Sequence, residues 1–243
     1  MIWDCFLYNG EKECLEIRME ELKSLDVIHV AVQATKTFTG KVKIVEKIPG
    51  CINVIVDDMP ETDSAWGREA YQRNAIMRGL TYAKPDDIVI ISDADEIPSL
   101  EAVRYYKPDM FLAALRMDNF WYRFNYLTEK QKWVAPRIMT FDYLKERNPN
   151  DVRNSGYQSE IYNGGHHFSY LGDADFIINK LESYSHQEYN IEKYKNKEDI
   201  SKKIEDGVAL WGGSKFEAVK IDETFPKYLY ENQDKFKHLI KQV

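Results

Sequence analysis

Apolar residues in this chain fall first into short runs and later into longer, looser stretches. Ile2–Tyr8 reads as a strand, and Glu11–Leu25 as a helix with Leu15, Met19 and Leu22 on one face. Val27–Gln33 is a nearly continuous apolar run, the signature of a strand buried on both sides, and Ile52–Val56 repeats it. Ser64–Ala83 follows as a helix, with Ser64 as its N-cap and Trp66, Ala70, Met77 and Leu80 at helical spacing. Ile88–Ser92 is the next strand and runs straight into Asp93-Ala94-Asp95-Glu96. This alternation predicts an α/β fold: a mostly parallel, Rossmann-like sheet flanked by helices, with ligands at the carboxyl ends of its strands. The texture then changes. Met110–Thr140 is rich in aromatics with strand-like stretches such as Phe111–Met117, and helices dominate from Asp173 onward.

Composition narrows the partners. Of the 243 residues, 44% are hydrophobic, enough for a packed core. Lys and Arg number 33 against 40 Asp and Glu, so the net charge is −7, which argues against a nucleic-acid partner. One local cluster of basic residues still suffices for a small phosphate-bearing ligand. Cys5, Cys14 and Cys51 are an odd count in no metal-ligand spacing; they read as buried apolar side chains in a reducing, cytoplasmic compartment. No run reaches the ~20 apolar residues of a membrane span.

The acidic motif carries the chemistry. In extended backbone, residues two apart face the same way, so Asp93 and Asp95 are expected to converge on one cation. Carboxylates suit Mg²⁺ or Mn²⁺, which bind substrate phosphates as well. A solvated acidic turn is the bland alternative, because Asp is common at strand ends. A haloacid-dehalogenase phosphatase would instead carry its Asp-x-Asp on the first strand, followed by Thr or Val rather than Glu96-Ile97-Pro98.

The segment Asp86–Pro98 resembles the signature of glycosyltransferase family 17. Asp4-Cys5-Phe6 with Leu15–Arg18, Ala34–Gly40, Trp66 through Arg73-Asn74, Gly164–Ser169 and Pro226–Leu229 form a colinear set similar to microbial members of that family. The resemblance implies a GT-A-type fold over a single domain, 1–243, with residues 1–109 binding a nucleotide sugar and 110–243 binding the acceptor. It also implies a UDP-linked N-acetylhexosamine donor such as UDP-N-acetylglucosamine, a divalent metal, a glycan acceptor and inversion at the anomeric carbon. Tyr8-Asn9 and Arg73-Asn74 resemble pairs of the wider inverting GT-A group. Two positions depart from the microbial pattern: Gln33 stands where Glu is usual, and His166 where Trp is usual.

Individual residues then take expected roles. Tyr8, Asn9, Gln33, Lys36, Arg68, Arg73, Asn74 and Asp93 are the candidates for nucleotide-sugar binding. Arg73 suits the diphosphate, against the alternative of an ordinary helix pair with Glu69. His167, in the Gly-Gly-His-His segment, is preferred over His186 as a third metal ligand beside Asp93 and Asp95. The base that an inverting reaction requires is assigned to Glu188, with Asp118 as the alternative. Trp121 and Tyr122 are candidates for stacking on the acceptor, although most of the aromatics belong to the core. The competing readings are a transferase using another nucleotide sugar and a non-catalytic glycan- or nucleotide-binding module.

Overall fold

The computed structural model describes residues 1–62, 64–128 and 132–243. The first half comprises β1 (Ile2–Leu7), α1 (Lys12–Leu22), β2 (Val27–Ala34), β3 (Cys51–Val56), α2 (Ala65–Asn74), α3 (Ile76–Gly79), β4 (Ile88–Asp93), β5 (Glu96–Pro98) and α4 (Leu100–Tyr105). The second half begins with β6 (Ala113–Trp121), β7 (Tyr126–Thr128), β8 (Arg137–Thr140), α5 (Phe141–Leu144), α6 (Pro149–Asn154) and β9 (Ser159–Ser169). It ends with α7 (Ala174–Ser183), α8 (Lys197–Asp206), β10 (Phe216–Ala218), α9 (Lys227–Glu231) and α10 (Gln233–Phe236).

The strands lie in the order β10-β7-β6-β8-β4-β1-β2-β3, with β9 pairing both β6 and β5. β4, β1, β2 and β3 are mutually parallel, as the alternating pattern predicted. From β4 outward the pairing turns antiparallel, at β4–β8 and β6–β8, so the sheet is mixed rather than mostly parallel. Among the described residues no helix lies between β6 and β7 or between β7 and β8, so this part of the sheet shows none of the helical crossovers that parallel neighbours need.

Period-two alternation on β1 feeds two cores. Trp3, Cys5 and Leu7 join Val30, Val32, Val54 and Ile76 on one face, and Phe6 and Tyr8 join Leu15 and Ala31 on the other. The helix expected over 64–83 is broken. α2 stops at Asn74, and α3 lies so close to β2 that a Cβ on Gly79 would sit 2.4 Å from the Val30 side chain. Its buried side is therefore Gln72, Arg73, Ile76 and Leu80, and Trp66 is half exposed rather than core. α1 ends at Leu22 instead of running to Leu25. The strand expected at Phe111–Met117 runs from Ala113 to Trp121, which puts Asp118 inside it rather than just beyond its end.

One crossing positions the site. β9 is parallel to β6 and antiparallel to β5, so it is wedged between them. A Cβ on Gly164 would meet the backbone of Arg116 at 2.6 Å, and one on Gly165 the carbonyl oxygen of Ile97 at 2.0 Å. Gly165 also has φ +136°, a region other residues avoid. Only glycine fits there. The C-terminal segment closes the opposite side, where Phe225, Leu229, Phe236 and Leu239 pack with Ile17, Ile97, Phe120 and Phe168.

Candidate active site

Because β1, β2 and β4 are parallel and in register, their carboxyl ends share one edge: Leu7 lies level with Val32 and with Asp93. Tyr8, Asn9, Gln33 and the acidic motif are thereby gathered at one mouth. Beneath it, the buried Arg18 fixes the backbone. Its guanidinium pairs with Asp4 and donates to the carbonyls of Asp93 (3.1 Å) and Glu96 (2.7 Å) and to Ser92 Oγ (2.6 Å). Ala94 N donates to Leu7 O and Phe168 N to Asp95 O, so the turn is tied to both β1 and β9.

Of the motif's three carboxylates, Asp93 and Glu96 share Arg153, and Asp95 points elsewhere. Asp93 accepts from Arg73 Nη1 (2.6 Å) and Arg153 Nη2 (2.9 Å). Glu96, fully buried, accepts from both Arg153 nitrogens (2.9 and 2.6 Å), from Trp133 Nε1 and from Asp93 N. Asp95 accepts from Lys180 Nζ at 3.0 Å, and its other oxygen lies 3.8 Å from His167 Nε2. The expectation that Asp93 and Asp95 face one way is thus corrected. The strand ends at Asp93, and Ala94-Asp95 form a turn, so the two-residue periodicity no longer applies.

Charge follows this geometry. Burial alone would raise the Asp93 pKa, but Arg153 and Arg73 outweigh it and hold the carboxyl well below its usual range. Lys180 is depressed by burial and raised more strongly by Asp95 and Glu11, so it stays an ammonium. Burial lowers the His167 pKa against the pull of Asp95 and Glu96. Burial, then the Asp95 charge, raises that of Glu11.

Two cavities of about 510 Å³ each open here, and Gly10 and Lys12 border both. The first is lined by Tyr8, Asn9, Gln33, Lys41, Lys43 and Glu46. The second is lined by Glu11, Asp95, Arg123, Asp173, Lys180 and His238. α7 stands between them, contributing Asn179, Glu182 and Ser183 to the first and Lys180 to the second.

The expected site residues divide. Tyr8, Asn9 and Gln33 line the first cavity. Gln33 Nε2 donates to Glu46 O at 2.7 Å, and burial pushes the Tyr8 hydroxyl up to about 12. Arg73 makes the helix pair with Glu69 that was the alternative for it, also pairs with Asp93, and borders neither cavity. Seven others point elsewhere. Lys36 pairs with Glu61, and Arg68 donates to Phe38 O. Asn74 Oδ1 accepts from Asn150 N at the start of α6. Tyr122 is fully buried with its hydroxyl donating to Val208 O, so it has no free face for a sugar. Trp121 belongs to an aromatic cluster with Tyr170 and Phe216. Glu188, exposed, accepts from His186 Nδ1, and Asp118, half-buried, pairs with Lys132; neither borders either of these cavities.

Arg18, Glu96, Arg153 and Lys180 escaped the sequence reading. Lys180 left a legible signal: it lies among Ile177 and Leu181 on the buried side of α7, where a lysine needs a reason. Arg153 left none, because its partners are far along the chain.

The mixed α/β sheet carries a charged cleft of two cavities at its parallel strand ends, the place where sheets of this kind bind their ligands. The family model described as glycosyltransferase family 17 matches residues 1–242, and the chain therefore belongs to that family and is a glycosyltransferase. No curated protein and no solved structure matches it.

The divalent cation expected from the sequence can be tested against the donors present. Among the described residues, no three His, Cys, Asp or Glu side chains are grouped to hold a metal ion. Both Asp93 oxygens are committed to guanidinium groups, so Asp93 does not fit. Asp95 and His167 do. Their facing atoms, 3.8 Å apart, are too distant for a hydrogen bond, and His167 Nδ1 has no partner among the described residues, so either tautomer leaves a ring nitrogen unsatisfied there. A carboxylate oxygen and a neutral imidazole suit a cation that completes its shell with water and substrate phosphate.

Proposed function

We propose that this glycosyltransferase moves N-acetylglucosamine from its UDP derivative to a hydroxyl of a glycan acceptor, with inversion and with a divalent cation. The observation that carries the reading is the pair of cavities meeting at Gly10 and Lys12 beside Asp95. Uridine occupies the first, where the Gln33 amide, already donating to Glu46 O, keeps its carbonyl oxygen to accept from the uracil N–H. Lys41 and Lys43 supply positive charge on that wall. The diphosphate lies at the junction, and the sugar and acceptor extend into the second cavity.

In the reaction the acceptor oxygen forms a bond to the anomeric carbon as the bond to the diphosphate oxygen breaks, and the acceptor proton passes to a carboxylate. Besides Asp95, the acids lining the second cavity are Glu11, Glu13 and Asp173, whereas Glu188 and Asp118 lie outside it. Asp173 caps α7 through Phe176 N, and Glu11 is the first choice because burial and the Asp95 charge raise its pKa and so its basicity. Asp95 and His167 would hold Mn²⁺ or Mg²⁺, and the ion would supply positive charge against the departing diphosphate.

Titration calorimetry of UDP, with Mn²⁺ and with EDTA, tests the reading, alongside UDP release from the N-acetylglucosamine and glucose donors. Affinity at least about tenfold tighter with Mn²⁺ is expected. Equal affinity in EDTA would remove the cation from the proposal, and preference for the glucose donor would replace the sugar.

A further inference from the structure

Lys180 is a partly buried cation whose one acidic partner among the described residues is Asp95, the carboxylate to which the proposed cation would bind. One carboxylate has one negative charge. Without ligand, Lys180 satisfies it and spares the fold a buried unpaired anion. A divalent cation arriving at Asp95 meets an ammonium already seated at 3.0 Å, and the two repel. A diphosphate at the junction brings enough negative charge for both.

We propose that Lys180 has two seats: on Asp95 in the free enzyme, where it competes with the divalent cation, and on the donor diphosphate once metal and nucleotide are both bound. The inference rests on the donor-site reading above. Three features favour it. Lys180 lines the second cavity, while its α7 neighbours Asn179 and Ser183 line the first, so its stem rises at the junction where the phosphates would lie. Its ammonium also lies 5.1 Å from the centre of the Tyr170 ring, so part of its stabilisation does not depend on Asp95. And its four-carbon stem lets one Cα serve two nearby anions, which a short or rigid cation cannot do.

The consequence is thermodynamic coupling. Metal and nucleotide each remove an obstacle to the other, so each binds weakly alone and tightly together. A lysine that merely stabilised the fold would not produce opposite effects on the two ligands.

The test is calorimetry with Mn²⁺ alone, with UDP plus Mn²⁺ and with uridine, on wild type, Lys180→Gln and Lys180→Arg, each checked by thermal unfolding. Lys180→Gln is expected to bind Mn²⁺ alone about tenfold more tightly, to bind UDP plus Mn²⁺ about tenfold more weakly, and to leave uridine unchanged. Lys180→Arg, whose planar fork grips a carboxylate on two atoms, is expected to bind Mn²⁺ alone more weakly than wild type. That comparison stands even if Lys180→Gln fails to fold. Mn²⁺ and UDP affinities that move together, or not at all, overturn the inference while leaving the donor site in place. A folded wild type with no affinity for UDP and Mn²⁺ overturns both.

Discussion

His166 faces a stack of aromatic rings, Phe120, Phe168 and Phe225, at 5.3–5.7 Å between centroids. Burial, aided slightly by Lys132, lowers its pKa from 6.5 to about 4. The folded ring is therefore neutral where the unfolded one already takes a proton. Its contribution to stability is intact above pH 6.5 and is lost as pH falls from there towards 4, amounting to about 3 kcal/mol. His166→Phe keeps the stack and removes the proton site. Its stability, from denaturant midpoints across that range, should fall less steeply than wild type; parallel curves would show that another group carries the acid sensitivity. Local sequence revealed only part of what matters at this scale. Asp93 and Asp95 were visible because the strand before them is so clearly buried. Their cations were not: Arg153 lies 60 positions from Asp93 and Lys180 lies 85 from Asp95, distances over which no residue pattern reports pairing.

Among elements, the parallel strands were readable because each is an apolar run with turn residues at its ends. The helix after Ser64 was not, because its break depends on the closeness of α3 to β2, a tertiary fact that no 3.6-residue period contains. β9 was missed for a related reason. Its Gly-Gly-His-His run resembles a loop in composition and becomes a strand only when squeezed between β5 and β6. Gly165→Ala should therefore cost at least about 2 kcal/mol, because the new methyl meets backbone rather than a movable side chain. Gly156→Ala, with open space around it, should stay within about 0.5 kcal/mol. Chemical unfolding of both variants decides the matter. Equal midpoints would mean that the strand crossing relaxes freely.

For the molecule as a whole, the division at residue 109 separates two groups of residues but not two folding units. β4 pairs with β8, β5 with β9, and α1 packs beneath the C-terminal helices, where Tyr228 Oη donates to Glu16 at 2.6 Å. A fragment of residues 1–109 would expose the β4 edge and the outer side of α1, and would leave Glu96 without Arg153 or Trp133. It is expected to show no cooperative thermal transition and little amide protection. A protected, cooperatively melting fragment would show that residues 1–109 fold by themselves.

The span between Asp95 and Lys180 also sets a clock during synthesis. At about 5–20 residues per second, the 85 positions between them take roughly 4–17 s to translate. For that interval the acidic turn has left the ribosome with its strand but without the lysine that neutralises it, and for most of it without Arg153 either. A chain cut short in that window would carry the acidic motif yet repel the very phosphates that the finished enzyme is proposed to hold.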